Sequence, residues 1–138
     1  PRDLESKTVM SKLRVAELDE RGRPQKVALP IEDIGVHVGR LLDEFQEFLY
    51  ERALALREEN TVSIDSWEEF VATFADGKSK FVYAHWDGTE ATELAIKDAT
   101  KATIRCVPLP GHGPAPEPGK CIKSGDPSAQ RVLFARNY

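Results

Sequence analysis

Residues 80–109, KFVYAHWDGTEATELAIKDATKATIRCVPL, read as strand, helix, strand. Phe81-Val82-Tyr83-Ala84 is a short run of aromatic and branched side chains, and Asp87-Gly88 breaks it. Asp87 and Thr89 each offer an oxygen to cap a helix start, with Glu90 three residues after Asp87. Ala91, Leu94, Ala95 and Ala99 recur at spacings of 3 and 4, which predicts an amphipathic helix over 89–101 with those residues on its core face. The second strand is expected at 103–107, with Ile104 inward and Arg105 outward, and Pro108 and Pro110 end it. If the two strands are parallel, their crossover is right-handed.

Working toward the C-terminus, residues 108–119, PLPGHGPAPEPG, form a Pro/Gly-rich surface loop. Residues 120–123 read as a strand, 124–127 as a turn and 131–135 as a final strand. Toward the N-terminus, Asn60 to Ile64 reads as a short strand. Asp65 and Glu68 stand in capping-box spacing before a helix whose core face is Trp67, Phe70, Val71 and Phe74, closed by Asp76-Gly77-Lys78. The order from 61 on predicts an α+β two-layer sandwich, with helices on one face of a mixed sheet.

The clearest helix in the chain runs from 31 to about 59. Ile34, Val38, Leu41, Leu42, Phe45, Phe48, Leu49, Ala53 and Leu56 form its apolar stripe, and Glu and Arg fill the other side. At ~1.5 Å per residue it is roughly 40 Å long, enough to bridge two domains. Before it, a strand at 8–15, a turn at 19–22 and a strand at 25–29 suit a β-hairpin, preceded by a polar loop at 2–5.

The 138 residues suit one domain, or a small domain with part of another. No apolar run approaches a membrane span, and no basic-then-apolar signal segment opens the chain. It starts Pro1-Arg2-Asp3 without methionine, which reads as a fragment or a processed product. The net charge of -4 is uneven. Residues 29–96 carry five Lys/Arg against fifteen Asp/Glu, and both flanks are net positive. A polyanion is repelled by the middle and tolerated at the ends. Taken alone, the acidic middle is the solvated face of helices.

Two cysteines, Cys106 and Cys121, are too few for a disulfide scaffold and fit a reducing compartment. They lack CxxC spacing, and His85 and His112 stand singly, so the expectation is two buried, inert thiols. A small thiol enzyme would need a depressed thiol pKa that no neighbour supplies. His85 beside Trp86 lacks a nucleophile and an orienting carboxylate in any recognisable motif, and reads as structural. Paired carboxylates such as Glu58-Glu59 and Glu68-Glu69 read as helix surface, and no phosphate-binding glycine loop is present.

Several stretches carry a family resemblance. AHWDGTEATELAIKDATKATIRCVPL (84–109), the run from Glu51 to Thr61, PSAQRVLFA (127–135) and the final Tyr138 resemble prolyl-tRNA synthetases of the archaeal and eukaryotic-like type. The resemblance spreads over nearly the whole chain. It implies a division at 1–60, the end of an α/β anticodon-binding domain, and 61–138, the C-terminal α+β domain. The rest of the anticodon-binding domain would lie upstream of residue 1.

By the same resemblance, Arg2, Asp3 and Lys7 belong to the loop that meets the anticodon. Arginine can reach guanine through two hydrogen bonds, aspartate can accept from a base amino group, and anticodon bases are unstacked and readable. From the residues alone, an ordinary charged loop stays open. Tyr138 is implied to reach toward the catalytic domain's active site, against the alternative of a frayed terminus. The family often binds zinc through four cysteines, one pair within the segment matching 86–93 and one pair near Cys121. This chain has no cysteine at 86–93 and Ile122, Lys123 and Ser124 beside Cys121, so no zinc is expected.

The resemblance implies a class II enzyme that ligates proline to tRNA(Pro) with ATP, in the cytoplasm, as a homodimer through its catalytic domain. ATP would be bound by that catalytic domain. None of the catalytic motifs is in this sequence, so no catalytic residue is expected here. The alternative is a self-contained structural or protein-interaction domain without RNA contact. The hairpin at 1–28 separates the two, because a hairpin with an open edge and an uncovered face belongs to a larger sheet.

Overall fold

A computed structural model describes residues 2–15, 18–75, 77 and 80–137, without the side chains of Arg2 and Asp3. The chain divides into two compact units, Pro1–Leu54 and Ala55–Tyr138.

The first unit opens with one helical turn, α1 (Arg2–Glu5), where a polar loop was expected. The Lys7 N–H returns to the Leu4 carbonyl at 3.3 Å, and Lys7 takes a left-handed φ of 50°. That geometry closes a helical turn and redirects the chain into a strand. Strand β1 (Thr8–Ser11) pairs antiparallel with β2 (Val27–Pro30), in the register Val9↔Leu29 and Met10↔Ala28. The predicted strand at 8–15 is therefore halved. The chain turns at Asp19, whose Oδ1 accepts the N–H groups of Arg21 (2.9 Å) and Arg23 (2.8 Å), with Gly22 at φ +69°. An aspartate-closed turn with a positive-φ glycine fixes this excursion, so residues 12–15 find no strand partner.

Helix α2 (Ile34–Glu59) starts three residues later than the spacing predicts, because Pro30 ends β2 and Asp33 is left-handed at φ 56°. Asp33 still offers its carbonyl to the N–H groups of Val36 and His37. No residue of the helix is buried. Of the expected apolar stripe, Ile34, Leu41, Phe45 and Leu49 are half-buried, while Val38, Leu42, Phe48 and Leu56 are exposed.

In the second unit the order is β3 (Thr61–Ser63), α3 (Trp67–Ala75), β4 (Phe81–His85), α4 (Glu90–Thr100) and β5 (Ala102–Cys106). Then come β6 (Gly119–Lys120), β7 (Pro127–Ser128) and β8 (Arg131–Arg136). Four strands form a mixed sheet in the order β3-β4-β8-β5, with β3 and β4 parallel and β8 antiparallel to both neighbours. The α+β sandwich is as expected. The 81–107 strands are not adjacent, because β8 lies between them. The adjacent parallel pair is β3 and β4, joined by α3.

Helix α3 is capped by Ser66, not by Asp65. The Ser66 carbonyl accepts the Phe70 N–H at 3.0 Å, and its hydroxyl donates to Glu68 Oε2 at 2.9 Å. Its own backbone N–H first, and then Ser66, hold the Glu68 carboxyl below the usual range. Asp65 is left to ion-pair with Arg131 at 2.7 Å. Of the closing tripeptide, Asp76 and Lys78 lie outside the described residues.

Helix α4 forms where predicted, capped by Thr89, but its buried face is rotated. Ile96 and Thr100 are buried, while Leu94 is 48% exposed and Ala91 and Ala99 are exposed. Thr100 can sit inside because its hydroxyl donates to the Ile96 carbonyl (2.7 Å) and accepts the Ala102 N–H (3.2 Å). The core joins Phe70 and Phe74 of α3 and Ile96 of α4 to Val82, Ala84, Val132 and Phe134 of the sheet. Phe70 meets Phe134 edge-on at 5.2 Å and Phe74 at 5.0 Å, the favoured geometry for ring pairs.

Cys121 is buried as expected, but Cys106 is exposed. It ends the edge strand β5, just past a register shift between Ile104 and Cys106 that breaks the alternation of faces. The 120–123 strand shrinks to β6, because residues 122–124 turn toward β7.

Candidate functional site

In the first unit, α1 delivers Lys7 to the open end of the hairpin. The Lys7 carbonyl accepts the Ile31 N–H at 2.9 Å, which ties the turn to the end of β2. The exposed Lys7 lines a shallow depression with Ser6, Thr8, Pro30, Ile31 and Glu32. An ammonium beside two hydroxyls suits phosphate or sugar contacts, which position a nucleic acid without reading its sequence. Arg2 and Asp3 share α1, one turn before Lys7. Their side chains, like all of Tyr138, lie outside the described residues. The end of β8 is held nonetheless. Arg136 Nη1 donates to the Phe74 carbonyl at 2.7 Å, and Arg105 Nη2 donates to Asn137 Oδ1.

The second unit builds a polar network around His85, which is buried at the end of β4. Its Nδ1 lies 3.2 Å from Ser128 Oγ, and its Nε2 lies 3.9 Å from Glu117 Oε1. A serine and a carboxylate therefore flank this histidine, neither of them visible as a motif, since they lie 43 and 32 residues away. The arrangement is structural all the same. The Ser128 hydroxyl donates to the Gln130 carbonyl at 3.0 Å and accepts the Trp86 N–H at 3.2 Å. Its one proton is committed and its oxygen is buried, so it offers no nucleophile. With that proton spent, His85 Nδ1 acts as donor, which fixes the tautomer. Arg131 completes the network, bonding Glu117 at 2.8 Å and Asp65 at 2.7 Å. Burial works to lower the guanidinium pKa, but the hydrogen bonds to Glu117 and Asp65 outweigh it and raise it.

A cleft of about 430 Å³ opens elsewhere in this unit, lined by Arg57, Thr61, Tyr83 and the 111–114 loop. No helix among the described residues is long and apolar enough to cross a membrane.

A family model described as prolyl-tRNA synthetase, C-terminal, matches residues 67–138. The chain belongs to this family. It is 45% identical over 137 residues to a proline--tRNA ligase of Porphyromonas gingivalis, covering 99% of this chain and 25% of that protein. A proline--tRNA ligase of Cytophaga hutchinsonii is 46% identical over 137 residues, with 99% and 26% covered. Among solved structures, prolyl-tRNA synthetase from Cryptosporidium parvum complexed with L-proline and AMP has 26% identity and a TM-score of 0.78. That likeness covers 100% of this chain and 27% of the other. The chain thus spans about a quarter of the length of the prolyl-tRNA synthetases it matches.

Proposed function

We propose that this chain is the C-terminal portion of a proline--tRNA ligase, a class II enzyme that joins proline to tRNA(Pro) at the expense of ATP. Its catalytic domain, which binds ATP and forms the homodimer, lies outside these residues, and the whole works in the cytoplasm. Residues 1–60 close the anticodon-binding domain. Residues 61–138 form the C-terminal domain that braces the catalytic domain. The observation that carries this reading is the likeness to proline--tRNA ligases through 99% of the chain, beyond the 67–138 segment alone.

The hairpin supports it over a self-contained domain. The β1–β2 sheet has two strands among the described residues, and leaves Val9, Met10 and Val27 exposed. Val9 and Val27 lie on one face and Met10 on the other, and two strands with apolar residues uncovered on both faces are marginal alone and suit a larger sheet.

The reading assigns Arg2, Asp3 and Lys7 to the anticodon. Arg2→Ala in the full-length enzyme is expected to weaken discrimination between wild-type and anticodon-mutant tRNA by about 1–3 kcal/mol. Proline activation without tRNA should hardly change. Equal aminoacylation of both tRNAs by the unaltered enzyme would show that this segment reads nothing.

It also assigns Tyr138 to ordering the active site. The anchors at Arg136 and Asn137 support this, since they hold the chain up to its penultimate residue. A tyrosine ring is rigid and amphipathic, and a terminal carboxylate can pair with an arginine. Deleting Tyr138 should lower proline activation at least tenfold, or ~1.4 kcal/mol, with fold and tRNA affinity retained. Unchanged activation kinetics would make it an ordinary loose end.

A further inference from the structure

The resemblance implies zinc held by four cysteines drawn from residues 86–93 and from the neighbourhood of Cys121. The donors present do not fit such a site. Residues 86–93 contain no cysteine, and Cys121 has no thiol companion in its own segment. Among the described residues, no three His, Cys, Asp or Glu side chains converge to hold a metal ion. Yet these same two segments are joined. Ser124 Oγ donates to Asp87 Oδ2 at 2.7 Å across 37 residues of sequence.

We propose that the Asp87 carboxylate and the Ser124 hydroxyl form a metal-free clasp that ties the loop before α4 to the turn between β6 and β7. Both partners are specified fully. Asp87 Oδ1 accepts from the Thr89 N–H (2.9 Å), the Thr89 hydroxyl (2.9 Å) and the Thr92 hydroxyl (2.5 Å). With Ser124 that makes four donors on the carboxylate, three on Oδ1 and one on Oδ2. Ser124 Oγ accepts the Asp126 N–H at 3.2 Å, so its single proton is aimed at Asp87. The turn holding Ser124 is closed by Cys121 N–H to the Asp126 carbonyl (2.7 Å) and Gly125 N–H to the Cys121 carbonyl (2.9 Å). A second tie runs from the same turn to the end of β4, by Ile122 N–H to the His85 carbonyl at 3.0 Å. The family resemblance chooses the two segments; the hydrogen bonds stand without it.

The clasp has a pH signature. Desolvation works to raise the Asp87 carboxyl, but hydrogen bonds from Ser124, Thr92 and Thr89 outweigh it and hold it well below the usual carboxylate range. A depressed carboxyl adds stability above its unfolded value near ~3.9, and that stability is lost as pH falls toward the folded value. The other titratable groups on the two segments and on β4 and α4 are Tyr83, His85, Glu90, Glu93, Lys97, Asp98, Lys120, Cys121, Lys123 and Asp126. Comparing wild type with Asp87→Asn at each pH removes the contributions that the two proteins share.

The test is thermal melting of the full chain, with hydrogen exchange at Thr89 and Asp126. Ser124→Ala and Asp87→Asn should each lower Tm by roughly 5 °C or more. The double variant should melt no lower than the worse single, Ser124→Thr should restore Tm, and both amides should lose protection. The gap between wild type and Asp87→Asn should narrow below about pH 4. Chelator should leave wild-type Tm unchanged, with far less than one zinc per chain. Stoichiometric zinc, a chelator-sensitive Tm, additive losses, or variants melting within about 1 °C of wild type would each overturn the clasp.

Discussion

Replacing Phe70 by alanine is expected to cost the second unit about 3–5 kcal/mol, the usual penalty for emptying a core aromatic site. Phe70 has no solvent exposure and joins Phe74 of its own helix to Phe134 of the sheet. Both edge-on partners lose their contacts at once, and Trp67, stacked on the same ring at 5.8 Å, loses its neighbour too. For a unit of this size Tm should drop by at least about 12 °C in calorimetry or circular dichroism. A paired comparison on α4 tests the packing more sharply. Ile96→Ala should cost about 2–5 kcal/mol, while Leu94→Ala should stay within about 0.5 kcal/mol or little more. Equal losses at the two positions would mean that α4 is rotated from the orientation described.

Gly119→Ala is the second large effect. A β-carbon there would lie 2.2 Å from His85 Nε2 and 2.4 Å from Cε1, so the glycine backbone sits directly on the imidazole. The ring cannot easily retreat, because Nδ1 is bonded to Ser128 and the side chain is buried. The requirement here is space, not backbone freedom. Overpacking of this kind costs about 1–3 kcal/mol and occasionally more; at 2.2 Å the upper part of that range is expected. His85→Ala should remove most of the additional penalty of Gly119→Ala, since the ring is what the new methyl strikes. Denaturant melts of the two singles and the double would measure that coupling. A penalty unchanged in the His85→Ala background would place the obstruction elsewhere.

Much of the second unit was legible because local signals agree with the final packing. Phe81 to His85 alternates, Asp87 to Thr92 carries cap chemistry, and Arg131 to Arg136 alternates again. The spacing points to the wrong face of α4, because small alanines mimic an apolar stripe, while the buried positions are Ile96 and Thr100, whose hydroxyl the helix satisfies internally. The cap of α3 was placed one residue early, since Asp65 and Ser66 are both good capping residues. The choice between them is made by Arg131, far away in sequence. Ser128 and Glu117 beside His85, and Ser124 opposite Asp87, are tertiary pairings with no periodic or motif signal. The left-handed backbone of Lys7 leaves no mark in composition. The stripe on α2 reads as a helix, and no residue of that helix is buried, because periodicity reports amphipathicity and not what covers it.

The position of β8 bears on how this unit is made. The strand latest in sequence fills the interior of the sheet, between β4 and β5. Those two cannot hydrogen-bond to one another, so each presents an unsatisfied edge until residues 131–136 arrive. Roughly two dozen residues separate β5 from β8, which at about 5–20 residues per second is some one to five seconds of ribosomal elongation. Throughout that interval Val82, Ala84, Ile96 and Ala102 lack the strand that completes their core. A nascent chain stalled before residue 131 would hold two open strand edges beside an unfilled apolar layer, the state in which edge-to-edge misassembly begins. Closure of the sheet waits for β8, so this unit cannot complete its core before residues 131–136 have been synthesised.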